Sequence, residues 1–311
     1  MPEIIADRCV HSLIGGATCR ACVDVCPPNA WVLEEGQLGI DSERCDGCDL
    51  CVAACPQGAI ESRISPELRE RAGRTLAMFA CEPSAVQTDT GRIPCLHAVS
   101  LNALMLLYRQ GVGAIVCCRA DCDHCDRGAA PHLDVLINRV NELLRNRLLP
   151  EMHYHDVSAS EWSSLLTELP SVPAGHAISR RQFFLRATNT VIEGRNQLHI
   201  TTNPQHNEFE PAGTILPSQA PGQMVPFLPR IDSTRCDACN ACMSLCPHSA
   251  LVFEKDLATY HIEPDRCSGC GICADICEQD AVSIQTWAVP ELTEIPLTTG
   301  RCGGCGVPYF M

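Results

Sequence analysis

Apolar residues occur along this chain in short bursts. Near each end they come as paired runs: Ala30–Leu33 and Leu38–Ile40 flank Glu34-Glu35-Gly36, and Ala250–Phe253 and Tyr260–Ile262 flank a polar insert. Runs of that length around a turn predict β-hairpins, with Ile231 and Val282–Ile284 placed to pair at the edge of the C-terminal one. The middle reads differently. Thr75–Cys81 is an apolar run of strand length and Arg92–Cys95 a shorter one; in Ala98–Gln110, Leu101, Leu104, Met105 and Tyr108 recur at helical spacing ahead of Gly111. Ala114–Cys118 predicts another strand. After the loop Arg119–Gly128 a helix is expected from Pro131, with Leu133, Leu136, Val140 and Leu144 on one face. Strands alternating with helices predict a small parallel sheet. Ala159–Leu169 predicts a short helix, and the prolines and polar residues from Pro170 to Pro229 predict an extended linker.

Composition changes the picture through cysteine, which accounts for 24 of 311 residues. The first ten residues, MPEIIADRCV, have neither a basic start nor an apolar core, so no signal peptide is expected. A cytoplasmic setting follows, in which reduced thiols are available to metal. The 37 acidic and 23 basic residues give a formal charge of −14. Thiolate-bound clusters would make it more negative still, which argues against nucleic acid as a partner. No run of eighteen apolar residues occurs, so no membrane span is expected.

The cysteine spacing is specific. Cys236-x2-Cys239-x2-Cys242-x3-Cys246-Pro247 is followed by Cys267-x2-Cys270-x2-Cys273-x3-Cys277, the ligand run of a two-cluster bacterial-type ferredoxin. Three thiolates two residues apart can curl around one cubane, while the fourth reaches across to the other. Cys236, Cys239, Cys242 and Cys277 are therefore expected to hold one [4Fe–4S] cluster, and Cys267, Cys270, Cys273 and Cys246 a second. Glu278 stands where the pattern has proline, a residue that shapes the turn and ligates nothing. Zinc knuckles close with four ligands in two separated pairs and do not call for this arrangement.

Residues near 1–62 repeat the module. Cys45-x2-Cys48-x2-Cys51-x3-Cys55-Pro56 matches in full, and Cys19-x2-Cys22-x3-Cys26-Pro27 supplies the partner half without its first ligand, where Gly16 stands. Cys9 can take that place if Gly15-Gly16 folds out as a loop; the alternative is a missing or foreign ligand. The expected sets are Cys9, Cys19, Cys22 and Cys55 for one cluster and Cys45, Cys48, Cys51 and Cys26 for the other. Both ends of the chain thus resemble bacterial two-cluster ferredoxins, over roughly a third of its length.

In a parallel sheet, ligands sit off the carboxyl ends of the strands. Cys81 and Cys95 end their strands and Cys122 and Cys125 lie in the following loop, so four thiols are expected at one edge. The stretches FACE (79–82), IPCLHA (93–98) and GVGAIVCCRADC (111–122), with the helix after them, resemble the delta subunit of methyl-viologen-reducing hydrogenases, the iron–sulfur adaptor also found in heterodisulfide reductase assemblies. The resemblance implies a [2Fe–2S] centre at this edge. Zinc would suit four thiolates equally in geometry, and the cysteine spacing of the family it resembles would also accept Cys117 paired with Cys122. Cys122 and Cys125 are favoured because two thiols around Asp-His in a loop chelate, whereas Cys117 and Cys118 read as strand residues.

The expected architecture is α+β and multidomain: ferredoxin-like 2[4Fe–4S] modules at 1–63 and 230–290 around a small α/β parallel-sheet domain at 72–158, with a linker at 159–229 and a tail at 291–311. Ser179-Arg180-Arg181-Gln182-Phe183-Phe184-Leu185 resembles a twin-arginine export box, but it is internal and no apolar stretch follows it. A basic amphipathic helix capped by Ser179 is the reading favoured there. The tail's Cys302-Gly303-Gly304-Cys305-Gly306 is half of a zinc-ribbon or rubredoxin-type knuckle. No dinucleotide fingerprint, P-loop or nucleophile elbow occurs. The chain therefore reads as an electron-transfer subunit, with four [4Fe–4S] clusters and a middle [2Fe–2S] or zinc centre, serving other subunits of a redox enzyme complex. The alternative is an oxidoreductase acting on a thiol, disulfide or sulfur substrate at Cys117, Cys118 or Cys122, kept open by the adjacent Cys117-Cys118 pair.

Overall fold

A computed structural model describes residues 1–34, 36–62, 64–127, 133–172, 209–217, 222–254, 256–301, 303–305 and 308–310. The chain forms two compact units. The first comprises Met1–Ile5, Arg20–Glu34 and Leu38–Phe209, the second Ala6–Cys19, Glu35–Gln37 and Glu210–Met311.

The first unit is built on a five-stranded sheet. Arg74–Cys81 and Val112–Cys118 form its centre, parallel to each other with Leu76 opposite Ala114 and Ala80 opposite Cys118. Their near-continuous apolar sequence suits strands covered on both faces, and Thr75–Cys81 are all buried. His153–Asp156 adds in parallel on one side, and Arg92–Ile93 runs parallel to the end of Arg74–Cys81. The remaining strand, Glu67–Arg71, is antiparallel, so the sheet is mixed where a parallel one was expected; it joins Arg74–Cys81 by a two-residue turn in which Ala72 and Gly73 both have positive φ. Gly91, ahead of Arg92–Ile93, has φ +69°, and a Cβ there would meet the Met78 carbonyl at 2.8 Å, which leaves room only for glycine.

Alternation along the strands divides the core. Leu76, Met78, Ala80, Ala114, Val116 and Cys118 pack in one cluster with Val86 and Trp162. Trp162 belongs to helix Ala159–Glu168, whose N-terminus is closed by a capping box between Ser158 and Glu161. Ala77, Phe79, Ile115 and Cys117 are buried on the alternate positions. Helices Leu101–Arg109, capped by Ser100, and Leu133–Asn146, which buries Leu133, Ile137, Val140, Leu143 and Leu144, complete this part of the unit. Residues 170–172 hydrogen-bond along Glu67–Arg71, Glu70 N–H to the Pro170 carbonyl and Val172 N–H to the Leu68 carbonyl, so the start of the expected linker is sheet-bound.

The same unit carries a small cysteine-rich substructure. Glu3–Ile4 pairs antiparallel with Ile60–Glu61, and Trp31–Glu34 forms a two-stranded sheet with Gln37–Ile40. Cys22, Trp31, Cys51 and Ile60 pack between these pairs and the short helices Ala21–Asp24 and Leu50–Ala54.

The second unit repeats that plan at larger scale. Val225–Ile231 pairs antiparallel with Val282–Ala288, Ile231 facing Val282; the strand begins ahead of the expected module boundary at 230. Leu251–Glu254 and Thr259–Ile262 form the hairpin, extended by Glu294–Pro296. Short helices Ala241–Ser244 and Ile272–Asp275 follow the cysteine runs. Helix Val10–Leu13 also belongs here: Val10 and Ile14 pack on Ile272, and Thr18 donates from its N–H and hydroxyl to Asp275 at 2.9 and 2.7 Å. The stretch 179–185 and Cys302 lie outside the described residues. Among the described residues no helix is long and apolar enough to cross a membrane.

Candidate iron–sulfur sites

The geometry around the cysteines is repetitive. Four of them, Cys26, Cys55, Cys246 and Cys277, open the same turn: the carbonyl of each accepts from the N–H three residues on, at Asn29, Gly58, Ser249 and Asp280. Those four residues all have positive φ, between 47° and 56°. That bend aims the next N–H back at sulfur, so Ala30, Ala59, Ala250 and Ala281 donate to Sγ of Cys26, Cys55, Cys246 and Cys277 at 3.2–3.3 Å. Cys277 makes the full turn although Glu278 replaces the proline, which the other three carry.

The triplets share a second device. Gly47, Ala238 and Gly269 take positive φ inside the first step of each complete triplet, and Asp49, Asn240 and Gly271 do so inside the second. Two left-handed residues on either side of the middle cysteine wrap the backbone into a loop with N–H groups turned inward. Asp46 and Asp237 reinforce two of these loops by accepting the N–H of Cys48 and Cys239 at 3.1 and 3.2 Å.

The loops bring thiols together around cavities. Cys26, Cys45, Cys48 and Cys51 line one of about 280 Å³ in the first unit, and Cys246, Cys267, Cys270 and Cys273 line one of about 330 Å³ in the second. Cys236, Cys239, Cys242 and Cys277 also stand within electrostatic reach of one another, with Cys239 exposed. Of the remaining expected set, Cys9 and Cys19 fall in the second unit and Cys22 and Cys55 in the first. Cys9 follows the 3-10 turn Ala6–Arg8 and donates its N–H to Ala6 at 3.0 Å, as Cys267 follows Pro264–Arg266 and donates to Pro264 at 3.1 Å.

In the middle of the chain, Cys81, Cys95, Cys122 and Cys125 line a cavity of about 390 Å³ at the carboxyl edge of the sheet. Cys81 Sγ accepts the Ala120 N–H at 3.3 Å, as the turn cysteines accept from their alanines. Arg119, Arg127 and His97 share the lining. His97 Nδ1 accepts the Leu133 N–H at 3.1 Å, which puts its ring proton on Nε2. His124 turns outward to Asp121 at 2.7 Å and is exposed. Cys117 and Cys118, at 0% and 2% exposure, stay inside their strand and do not line the cavity.

These sites fit metal clusters. Burial pushes the thiols of Cys48, Cys51 and Cys267 up to about 12 and those of Cys95 and Cys242 to about 11. Such groups ionise only against a bound cation, and loading them releases protons. Among the described residues no three His, Cys, Asp or Glu side chains converge as ligands of a single ion do. The thiols line clefts into which backbone N–H groups turn toward sulfur, the donors that an iron–sulfur core uses to set its potential.

Comparison with known proteins agrees. A 4Fe-4S dicluster domain matches residues 235–281, and 4Fe-4S binding domains match 38–61 and 6–31. The Electron transport protein HydN of Escherichia coli (strain K12) is 43% identical over 124 residues, covering 35% of this chain and 70% of HydN. The chain belongs to the family of HydN-like electron transport proteins. Other relatives are the Putative electron transport protein YsaA of Escherichia coli (strain K12), 37% identical over 19% of this chain and 39% of its own length, and the Thiosulfate reductase electron transfer subunit PhsB of Salmonella typhi, 39% identical over 18% and 32%. The HydN-like chain carries its [4Fe–4S]-binding domains at both ends, while residues 62–234 lie outside the three domain matches.

Two recurring signals escape a reading that follows cysteine spacing alone. Alanine stands four residues after each of Cys26, Cys55, Cys246 and Cys277, and arginine directly precedes each of Cys9, Cys45, Cys236 and Cys267. The second gives Cys9 the same preceding residue as the three other first cysteines. Both emerge on aligning the four half-modules of this one chain.

Proposed function

We propose that this chain is an electron-transfer subunit that carries electrons through four [4Fe–4S] clusters and a middle [2Fe–2S] centre to or from other subunits of a redox complex. The ligand sets are Cys9, Cys19, Cys22 and Cys55; Cys26, Cys45, Cys48 and Cys51; Cys236, Cys239, Cys242 and Cys277; and Cys246, Cys267, Cys270 and Cys273. Cys81, Cys95, Cys122 and Cys125 hold the middle centre. The domains are the modules at 1–63 and 230–290, the hydrogenase-delta-like domain at 72–158, to whose sheet strand Glu67–Arg71 and helix Ala159–Glu168 add, the connecting segment that follows up to 229, and the tail 291–311.

The observation that carries this reading is the thiol-lined cavity at the sheet edge, in the same unit as the cavity of the Cys45 group. Bound clusters supply one-electron carriers; the chain supplies thiolates, sulfur-directed N–H donors and a buried setting. The Arg119 and Arg127 guanidiniums at the middle cavity offset the negative charge that four thiolates bring. A redox-inert zinc ion would sit idle beside electron carriers. Cys239, the exposed member of its set, marks where electrons enter or leave. The test is metal content after anaerobic reconstitution: about sixteen iron atoms for the terminal modules plus about two for the middle. Mainly zinc, or iron for one module only, would sink the proposal.

Thiol chemistry at Cys117, Cys118 or Cys122 is the second reading; Cys122 lines the middle cavity as a proposed ligand, and burial speaks against the adjacent Cys117 and Cys118. Both thiols are pushed up, chiefly by desolvation, and neither offers a thiolate at neutral pH. Iodoacetamide at neutral pH is expected to leave both unmodified in the folded protein and to alkylate them after unfolding. Rapid labelling of either in the native state would favour the thiol reading.

A further inference from the structure

Arg127 stands on the loop that carries Cys125, and in the first unit it reaches both cysteine groups. Its Nη2 donates to Glu82 Oε2 at 3.0 Å, Nη1 donates to the Pro94 carbonyl, and Nε lies 3.7 Å from Asp46 Oδ2. Asp46 sits between Cys45 and Cys48 and accepts the Cys48 N–H on Oδ1. Glu82 follows Cys81 and Pro94 precedes Cys95. One side chain, only 18% exposed, therefore ties the backbone beside a thiol of the N-terminal module to the backbone beside two thiols of the middle cavity. Next to this tie Cys48, Leu50 and Cys95 pack in one buried cluster with Val25.

We propose that Arg127 couples the two groups: it holds the Cys48–Leu50–Cys95 contact closed as the route for the electron, and its charge raises the reduction potential on both sides together. The inference rests on the ligand sets proposed above. The hand-off is a one-electron exchange, one side oxidised as the other is reduced, with no bond made and no proton moved. Reduction adds negative charge, and a fixed cation in a poorly hydrated site favours the reduced form of whatever lies beside it. Asp46 and Glu82 hold the guanidinium between the groups. Arg119 also lines the middle cavity, but its partner is Asp156 at 2.7 Å, on the strand beside Val112–Cys118 rather than in the N-terminal module.

The experiment is a redox titration of the reconstituted full chain, followed by electron paramagnetic resonance. In Arg127→Gln the reduced-to-oxidised ratio at fixed poise is expected to fall about tenfold, about 59 mV for one electron, in the middle centre and in one cubane. Arg127→Lys keeps the charge and restores most of both shifts. Arg119→Gln moves the middle centre alone, and Glu82→Gln, which needs no change at Arg127, moves potentials the opposite way. A purely structural Arg127 would lower cluster loading or the melting temperature with both midpoints unmoved, and that result overturns the inference. So does a shift confined to the middle centre. If the unaltered protein shows no middle signal, the fault lies in the reading of the site itself.

Discussion

Cys81→Ser or Cys125→Ser is expected to abolish one distinct paramagnetic signal and about two of about eighteen iron atoms, leaving the four cubane signals in place. The loss is all-or-none because a two-iron core has no spare ligand, and a serine hydroxyl at neutral pH is neither soft nor ionised. Cys81 ends a buried strand, where its sulfur accepts the Ala120 N–H, so the backbone cannot swing another thiol into its place. Cys118→Ser is the control. That side chain packs against Met78, Val116 and Trp162 rather than the cavity, and its loss is expected to cost stability while sparing every iron signal. If Cys118→Ser removes the signal and Cys125→Ser spares it, the ligand choice is wrong and the site survives. If no substitution in this domain alters an iron signal, the middle of the chain is not part of the wire and thiol chemistry moves ahead.

What was legible in the sequence follows from where the information resides. Ligand spacing is covalent geometry, so the thiols around the cavities of the Cys45 and Cys267 groups could be grouped by counting residues. Central strands are apolar on both faces, so Arg74–Cys81 and Val112–Cys118 stood out. Edge strands did not. His153–Asp156 (HYHD) is paired on one side only, and Glu67–Arg71 (ELRER) is closed on its outer side only by the short stretch 170–172; held by backbone hydrogen bonds, both carry mostly polar side chains. The alanine N–H groups escaped for a related reason: the donor is backbone, and a backbone group leaves no signature in the side-chain pattern. Segment 209–217 reads as linker from its prolines, yet Gly213 lies so close to Asp265 that a Cβ would meet its carbonyl at 2.5 Å. Close approach selects glycine as readily as flexibility does, and composition alone cannot separate the two.

Trp162→Ala is expected to destabilise the first unit by about 3–5 kcal/mol, a large fraction of the ~5–15 kcal/mol that holds an ordinary domain. Trp162 is fully buried, and the cluster it completes covers Leu76, Met78 and Ala80 of one central strand and Val116 and Cys118 of the other. Partly buried Leu165, Leu166 and Leu169 pack around it. The helix is therefore the cover for one face of the sheet, although it lies at 159–168, where a linker was expected to begin. Its consequence reaches the site, because the strands it clamps end at Cys81 and Cys118 and their alignment shapes the cavity. Denaturant unfolding followed by circular dichroism, with the middle iron signal read in parallel, should show that signal lost at lower denaturant than the cubane signals of the C-terminal module. Trp162→Phe separates packing from hydrogen bonding. The indole Nε1 has no hydrogen-bond partner among the described residues, so phenylalanine gives up no bond and loses only part of the volume. It is expected to cost clearly less than alanine, because only part of the buried volume is removed. If alanine costs as little as phenylalanine, the helix does not belong to the core of this domain, and the boundary near 158 stands as a linker junction.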